Sequence, residues 1–139
     1  MSEATTENEP YPPYATIVLI KKELDPQHIT ELLGINPTKG VKQGDKRGDK
    51  YKWPHGIWAL ESKGQLESND PILHIEWLIE KLEPAKTKLT EILSDDGISA
   101  KIDCFWIMPS THEVLTIPPE LLSRIGGLNI RFELSIYAP

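Results

Sequence analysis

The chain has 139 residues, of which 39% are hydrophobic and 26% charged, and its formal net charge is −6. This length is typical of one globular domain, and this composition excludes a wholly disordered or collagen-like chain. Apolar runs such as Ile17–Ile20 are far shorter than the roughly 20 residues that cross a bilayer. A single cysteine excludes an intrachain disulfide, so we expect a soluble protein of the reducing cytoplasm.

The first thirteen residues are polar, acidic and rich in proline. They lack the basic start and apolar core of a signal peptide. We therefore predict a disordered tail over residues 1–13 and a single α+β domain over residues 14–139.

The first half of the domain begins with a β-branched, apolar segment, Thr16–Lys22, that predicts a buried strand. Asp25 and Pro26 are a typical N-cap and first helical residue, and they open a short helix that ends at Gly34. Residues 36–55 have little apolar content and predict a loop or a poorly anchored ribbon. A second strand follows over Gly56–Lys63.

The second half repeats the same helix-start signal at Asp70-Pro71 and opens the longest predicted helix, which Pro84 kinks or breaks. Strict alternation of apolar and polar residues predicts a strand over Ile98–Met108. A short helix follows from Pro118 to Gly126. The last strand, around Ile130–Ile136, has the clearest alternation.

Together these segments predict the order β-α-β-α-β-α-β. Two strands with a polar face indicate an open-faced sandwich, with a mostly antiparallel four-stranded sheet, helices on one face and a ferredoxin-like arrangement. The two short helices also match in pattern, since Ile29, Leu33 and Gly34 align with Leu121, Ile125 and Gly126. This match raises an internal duplication as a hypothesis.

No enzyme signature is found. The chain has no phosphate-binding G-x-x-x-x-G-K-[ST] loop, no G-x-S-x-G turn and no H-E-x-x-H pair. His74-Ile75-Glu76 has the H-x-E form of zinc deaminases, but the C-x-x-C that they require is absent. Cys104 lies on the apolar face of its strand, which indicates a buried and inert thiol. We therefore predict no catalytic residues, no metal and no cofactor.

The long helix carries an aromatic residue away from its main apolar stripe. Trp77 lies nearly opposite that stripe, Leu73 precedes it by one turn, and Glu76 and Glu80 border the pair. A tryptophan and a leucine ringed by acids are typical of the anchor of a protein interface. The alternative is that the segment Tyr11–Tyr14, or a strand, covers them.

The segment from Lys39 to Lys52 is basic, with six cations against two aspartates, so the other 125 residues carry −10. One interpretation is a clamp for phosphate or for an acidic partner. Its candidate ligand-binding residues are Lys42, Lys46, Arg47, Tyr51, Trp53 and His55. The other interpretation is a solvated loop, because an acidic protein is a poor binder of polyanions.

The polar face of the predicted sheet carries Lys101, Phe105 and Arg131, a combination also found on RNA-binding sheets. However, Asp103 and Glu133 share that face and would repel phosphate. We therefore expect no nucleic-acid partner, and we add Asp103 to the residues expected to bind a protein partner.

Several segments of the sequence also carry a resemblance to a known family. They are LDP (24–26), ITELLGINPT (29–38), KQGD (42–45), GIW (56–58) and HIEWLIEKLEP (74–84). With the terminal strand they make residues 14–138 resemble the bacterial domain of unknown function family DUF4279, although 46–55 and 109–116 match less well. The resemblance implies a small bacterial cytoplasmic domain of α+β type and brings no catalytic residue.

Two functional hypotheses follow. The first is a non-catalytic protein-binding module, an immunity protein of a toxin–antitoxin or contact-dependent growth inhibition system that neutralises a basic, nuclease-type toxin domain. Its partner-binding residues would be Leu73, Glu76, Trp77, Glu80 and Asp103. The second is a small-molecule, nucleotide or phosphate-binding domain that uses the basic segment 39–55. The sequence predicts no membrane partner and leaves the oligomeric state open.

Overall fold

The computed structural model describes residues 11–139. Of the tail predicted over residues 1–13, the first ten residues therefore lie outside the described residues. The elements in chain order are β1 (Tyr14–Lys21), α1 (Pro26–Leu33), β2 (Lys39–Val41), β3 (Lys46–Arg47), β4 (Tyr51–Lys52), β5 (Gly56–Glu61), α2 (Pro71–Leu82), a 3-10 turn (Glu83–Ala85), α3 (Lys86–Leu93), β6 (Ser99–Ile107), α4 (Pro119–Gly127) and β7 (Arg131–Tyr137).

The two Asp-Pro pairs start helices as predicted. The Asp25 carboxylate accepts a hydrogen bond from the Gln27 amide at 3.1 Å, and the Asp70 carboxylate accepts one from the Ile72 amide at 2.9 Å. Each bond satisfies an amide that has no partner within its helix. Gly34 ends α1 with a φ of 69°, a left-handed conformation that glycine adopts without strain.

Pro84 breaks the long helix into two. Its ring carries no N–H and clashes with the preceding turn, so α2 ends at Leu82 and a 3-10 turn leads directly into α3. Helices α2 and α3 therefore form one bent unit between β5 and β6.

The main sheet has five strands in the order β2-β5-β1-β6-β7. Strand β1 is central and antiparallel to both β5 and β6, while β7 joins the outer side of β6 in parallel. The α+β class is confirmed, but the prediction of four strands in a ferredoxin-like order is wrong. The extra strand is β2, and β7 is parallel because its connection crosses back through α4. The two ends of the chain consequently differ in topology.

The chain from β2 to β5 forms a long β-hairpin. Of the two structures predicted for residues 36–55, a loop and a ribbon, the observed one is the ribbon. The pairs β2–β5 and β3–β4 share one continuous register, because the two residue numbers of every pair have the same sum, as in Lys39 with Ala59 and Lys46 with Lys52. The hairpin returns to the sheet at Gly56, where an added Cβ would lie 2.0 Å from the Leu24 carbonyl oxygen. Only glycine fits this junction.

One hydrophobic cluster lies between the sheet and the helices. It combines alternate residues of β1, such as Ile17 and Leu19, with residues of all four helices, such as Ile75 and Leu121. Side chains alternate along a strand, so the β6 residues on the opposite face of the sheet are not part of this cluster. No helix within residues 11–139 is long and apolar enough to cross a membrane.

Candidate functional site

The outer side of α2 carries an exposed leucine beside acidic side chains. Leu73, Glu76 and Glu80 follow at spacings of three and four residues, which places them along one side of the helix. The Leu73 side chain is 45% exposed, Glu80 is exposed and Glu76 is partly exposed. We call these three residues the acidic helix face.

A single arginine lies beside the acidic helix face. Arg124 of α4 binds the Glu83 carboxylate with two nitrogens, Nη2 at 2.8 Å and Nε at 3.1 Å. This hydrogen bonding lowers the pKa of Glu83. The same bond raises the pKa of Arg124, and the charges of Glu80 and Glu76 raise it further, so the guanidinium is near all three acids.

Glu76 and Glu80 nevertheless have no ion-pair partner within 4 Å among the described residues. Arg124 is committed to Glu83, and the two other carboxylates face solvent. Three acids against Arg124 and the nearby Lys86 leave this side of the helix negatively charged, which would attract a cationic surface.

Trp77 is not an exposed anchor on this face. Its ring is partly buried against the hydrophobic core, next to the loop that follows α1, and the Lys81 ammonium lies 5.5 Å from its centroid. The alternative prediction is cover by Tyr11–Tyr14 or by a strand, and Leu60 of β5 lines the same groove as Trp77. Tyr14 stacks instead on Phe105, with ring centroids 5.1 Å apart.

Trp77 and Lys81 line a groove of about 560 Å³. The groove is lined by Gly34, Ile35, Asn36, Pro37, Thr38, Leu60, Gln65, Trp77 and Lys81. Two of the segments that carry the family resemblance, ITELLGINPT and HIEWLIEKLEP, therefore meet here. An indole, an ammonium and side-chain amides would suit a small ligand with an aromatic ring and an acidic group.

Asp103 is separated from the acidic helix face by the sheet. It shares the polar side of β6 with Phe105 and accepts a hydrogen bond from the Ser135 hydroxyl at 2.7 Å. Burial raises the pKa of the nearby Tyr14 hydroxyl, and the charges of Glu61 and Asp103 raise it further. The five residues expected to bind one protein partner thus occupy three different places, of which only the acidic helix face groups more than one.

The predicted ligand-binding residues come together more closely. Lys42, Lys46, Arg47, Tyr51 and Trp53 all belong to the hairpin between β2 and β5, and His55 lies at its base. We call residues 39–53 the basic ribbon. Trp53 is partly buried beneath two cations, with the Lys39 ammonium 4.1 Å and the Arg47 guanidinium 4.7 Å from its ring centroid. Tyr51, 71% exposed, is the aromatic side chain of the ribbon left open for stacking.

Two lysines of the basic ribbon lie directly opposite each other. Lys46 of β3 pairs with Lys52 of β4, and like charges at such a position destabilise a ladder by several tenths of a kcal/mol or more. Within residues 11–139, neither has a carboxylate within ion-pair distance, whereas Lys42 lies 3.9 Å from Asp25. An external anion would relieve this repulsion.

A buried serine–histidine pair was not predicted from the sequence. The Ser62 hydroxyl lies 2.6 Å from His74 Nδ1 and accepts a hydrogen bond from the Ala15 amide at 2.9 Å. His74 Nε2 donates to the Ser68 carbonyl, so its Nδ1 accepts from Ser62. Both side chains are buried, and neither lines the groove. No local pattern indicates a pair twelve residues apart.

Reactive and metal-binding groups are otherwise sparse. Burial raises the pKa of the Cys104 thiol to about 12, which holds it in the neutral, unreactive form. Among the described residues, no group of three His, Cys, Asp or Glu side chains is arranged to hold a metal ion.

Comparison with known proteins places the chain in a family. The family model described as "Domain of unknown function (DUF4279)" matches residues 10–139, nearly the whole chain. The chain belongs to this family. Neither the curated proteins nor the solved structures contain a significant match to it. Family membership confirms the resemblance seen in the sequence of this DUF4279 domain.

Proposed function

We propose that this DUF4279 domain is a non-catalytic protein-binding module, of the immunity-protein class, that neutralises a toxin domain with a cationic surface. The observation that carries the proposal is the acidic helix face. It combines an exposed leucine with two carboxylates that have no cation partner within the described chain.

Such a face favours a partner of opposite charge. Burying two unpaired carboxylates is costly, so the partner has to supply cations that pair with them, while Leu73 contributes apolar contact. The 125 residues outside the basic segment carry −10 and would accelerate the encounter with a basic toxin. A carboxylate pair seated in a nuclease cleft would occupy the positions that the nucleic-acid phosphates need.

The test is a low-salt affinity purification from the bacterium that carries the gene, with three forms of the protein as bait. They are the wild type, Glu76→Lys/Glu80→Lys, and the control Glu23→Lys/Glu31→Lys. Both double variants change the net charge from −6 to −2, and both control positions are exposed and lie outside α2. We expect a stoichiometric partner on the wild type and on the control, lost with the acidic-face variant.

The partner is then expressed alone and with each form in a growth assay. The proposal predicts that the partner inhibits growth, and that the wild type and the control restore growth while the acidic-face variant does not. Equal recovery of the partner on all three baits, or a partner without effect on growth, would contradict the proposal.

The basic ribbon supports a second candidate function, the binding of a phosphate-bearing small molecule. The supporting observation is the unneutralised pair Lys46–Lys52 with the exposed ring of Tyr51 nearby in the same ribbon. Inorganic tripolyphosphate should then raise the melting temperature, and Lys46→Glu/Lys52→Glu should abolish the rise. An equal rise with the variant, or no rise with the wild type, would exclude this candidate.

A further inference from the structure

The two edges of the main sheet differ in how well they resist pairing with another strand. At one edge, β2 has three residues, contains a lysine and a glycine, and leads into the basic ribbon. Short length and positive charge are the usual protection of an edge strand. At the other edge, β7 has seven residues, RFELSIY, without lysine, proline or glycine.

The free edge of β7 presents apolar residues. The Tyr137 carbonyl accepts a hydrogen bond from Met108, so Tyr137 and every second residue before it direct their backbone groups toward β6. The alternate residues Phe132, Leu134 and Ile136 direct theirs outward, where no strand of the described chain pairs with them. The side chains of Leu134 and Ile136 are 39% and 47% exposed.

The sequence of β7 is complementary to itself in an antiparallel arrangement. With Leu134 opposite Leu134 of a second copy, Phe132 lies opposite Ile136, Arg131 opposite Tyr137 and Glu133 opposite Ser135. The two kinds of apolar pair and the cation–aromatic pair are favourable between neighbouring strands, and the pair of Glu133 with Ser135 opposes no like charges. All seven residues of the strand take part.

Neighbouring registers are worse. A shift that centres the pair on Glu133 places two carboxylates directly opposite each other, which is destabilising. A shift that centres it on Ser135 leaves Arg131 opposite Pro139, beyond the end of the strand. A shift by a single residue would place residues whose backbone N–H and C=O groups point outward opposite residues whose groups point toward β6.

We infer that the chain forms a symmetric dimer through antiparallel pairing of β7 with β7 of a second copy, centred on Leu134. The two five-stranded sheets then become one continuous sheet with no free β7 edge. The occupant is a second copy because one register aligns the whole strand with itself, with apolar residues opposite apolar residues and no like charges directly opposite each other. This inference is independent of the proposed function, since it uses neither Glu76 nor Glu80.

Cysteine cross-linking tests the register directly. In a Leu134→Cys variant the two new thiols lie opposite each other, with a Cα separation of about 5.5 Å, which a disulfide can span. In the control Ser135→Cys the same residue of the second copy lies diagonally, at about 7–8 Å, which a disulfide does not span. The native Cys104 is buried and does not compete. We expect a covalent dimer from Leu134→Cys under mild oxidation and none from Ser135→Cys.

Sedimentation equilibrium measures the dimer without cross-linking. Leu134→Lys places two ammonium groups opposite each other and should weaken dimerisation by about tenfold or more. The control Val114→Lys introduces the same charge at an exposed loop residue and should leave dimerisation unchanged. Each copy carries −6, so added salt should strengthen this dimer by screening the repulsion between the copies. A dimer formed by the basic ribbon of one copy and the acidic helix face of the other would instead be weakened by salt.

Two results would overturn the inference. One is a wild-type protein that remains monomeric up to millimolar concentration, in which case the β7 edge is free or is covered by another part of the chain. The other is a covalent dimer from Ser135→Cys but not from Leu134→Cys, which would show pairing in a different register. A circular dichroism spectrum of each variant verifies that it is folded.

Discussion

At the scale of single residues, Ser62 and His74 connect three parts of the chain. Ser62 lies just beyond β5, and its hydroxyl binds the Ala15 amide at the start of β1. His74, on α2, accepts a hydrogen bond from the Ser62 hydroxyl at Nδ1 and donates one from Nε2 to the Ser68 carbonyl in the loop before that helix. The arrangement satisfies every buried side-chain polar atom of the pair, so it stabilises the junction of strand, loop and helix.

Ser62→Ala should therefore lower the free energy of unfolding more than most conservative substitutions do. It leaves the Ala15 amide and His74 Nδ1 buried without partners, and each lost partner costs roughly 1–3 kcal/mol. We expect the free energy of unfolding, measured by urea denaturation, to fall by about 2–4 kcal/mol. The control Ser123→Ala, at an exposed position of α4, should change it by less than about 0.5 kcal/mol. Equal small effects of both substitutions would contradict the structural role of Ser62.

At the scale of elements, the bent unit of α2 and α3 is tied to α4 by one ion pair. Glu83 lies in the 3-10 turn that Pro84 imposes, and Arg124 reaches it from the neighbouring helix. The two side chains are partly exposed, which limits the contribution of the pair to stability. Its two-pronged geometry nevertheless fixes the position of α4 against the bend.

The pH dependence of stability should reflect this pair. Folding lowers the pKa of Glu83, so the pair stabilises the protein above the unfolded-state pKa, and this stabilisation is lost as pH falls through the lowered, folded-state pKa. Glu83→Gln should thus be less stable than the wild type at pH 7, and the difference should shrink below about pH 5.

Urea denaturation at several pH values measures this difference. The double variant Glu83→Gln/Arg124→Ala should show little additional loss beyond the single variants, because both remove one interaction. Additive losses in the double variant, or a difference between Glu83→Gln and wild type that does not change with pH, would contradict the assignment.

At the scale of the whole molecule, opposite charges are segregated. The basic ribbon extends from the β2 edge of the sheet, while the acidic helix face lies on α2 and β7 forms the other edge. Three surfaces of different chemistry are thus available on different elements of one small domain. A protein partner, an anion and a second copy could bind without competing for the same residues.

Cys104 should report the opening of the whole molecule. The thiol lies inside the hydrophobic cluster, within 4.0 Å of the Pro71 carbonyl, and burial raises its pKa to about 12. We expect no reaction with a thiol-specific reagent at pH 8 in native buffer, and a complete reaction in urea. The control Ser123→Cys, which adds an exposed thiol, should react at once at one site. Rapid labelling of Cys104 in native buffer would show that the core opens locally.

Local signals explain what could be predicted. The two Asp-Pro pairs predicted where α1 and α2 begin, because an N-cap aspartate and the proline after it affect only backbone amides within three residues. Alternation predicted β6, which buries one face, and β7, whose apolar residues share one side although none of them is fully buried. The residues of the basic ribbon lie together because they are contiguous in the chain.

Contacts between distant segments explain what could not be predicted. The three residues of β2 contain too little apolar surface to indicate a strand, and they pair only because β5 offers an edge. For Trp77 the sequence leaves an exposed anchor and a covered side chain both open, because a helical wheel contains no information on the loop that packs beside the helix. Asp103 was grouped with Glu76 and Glu80, although the sheet lies between them.

The sequence by itself determined the α+β class, the positions of most helices and strands, the segregation of basic from acidic residues and the membership of the DUF4279 family. These properties depend on neighbouring residues or on composition. Only the tertiary structure decided which strands are neighbours, that Trp77 is partly buried and that β7 forms a free edge. Strand pairing and burial are set by contacts between segments far apart in the chain, and their free energies do not appear in any local pattern.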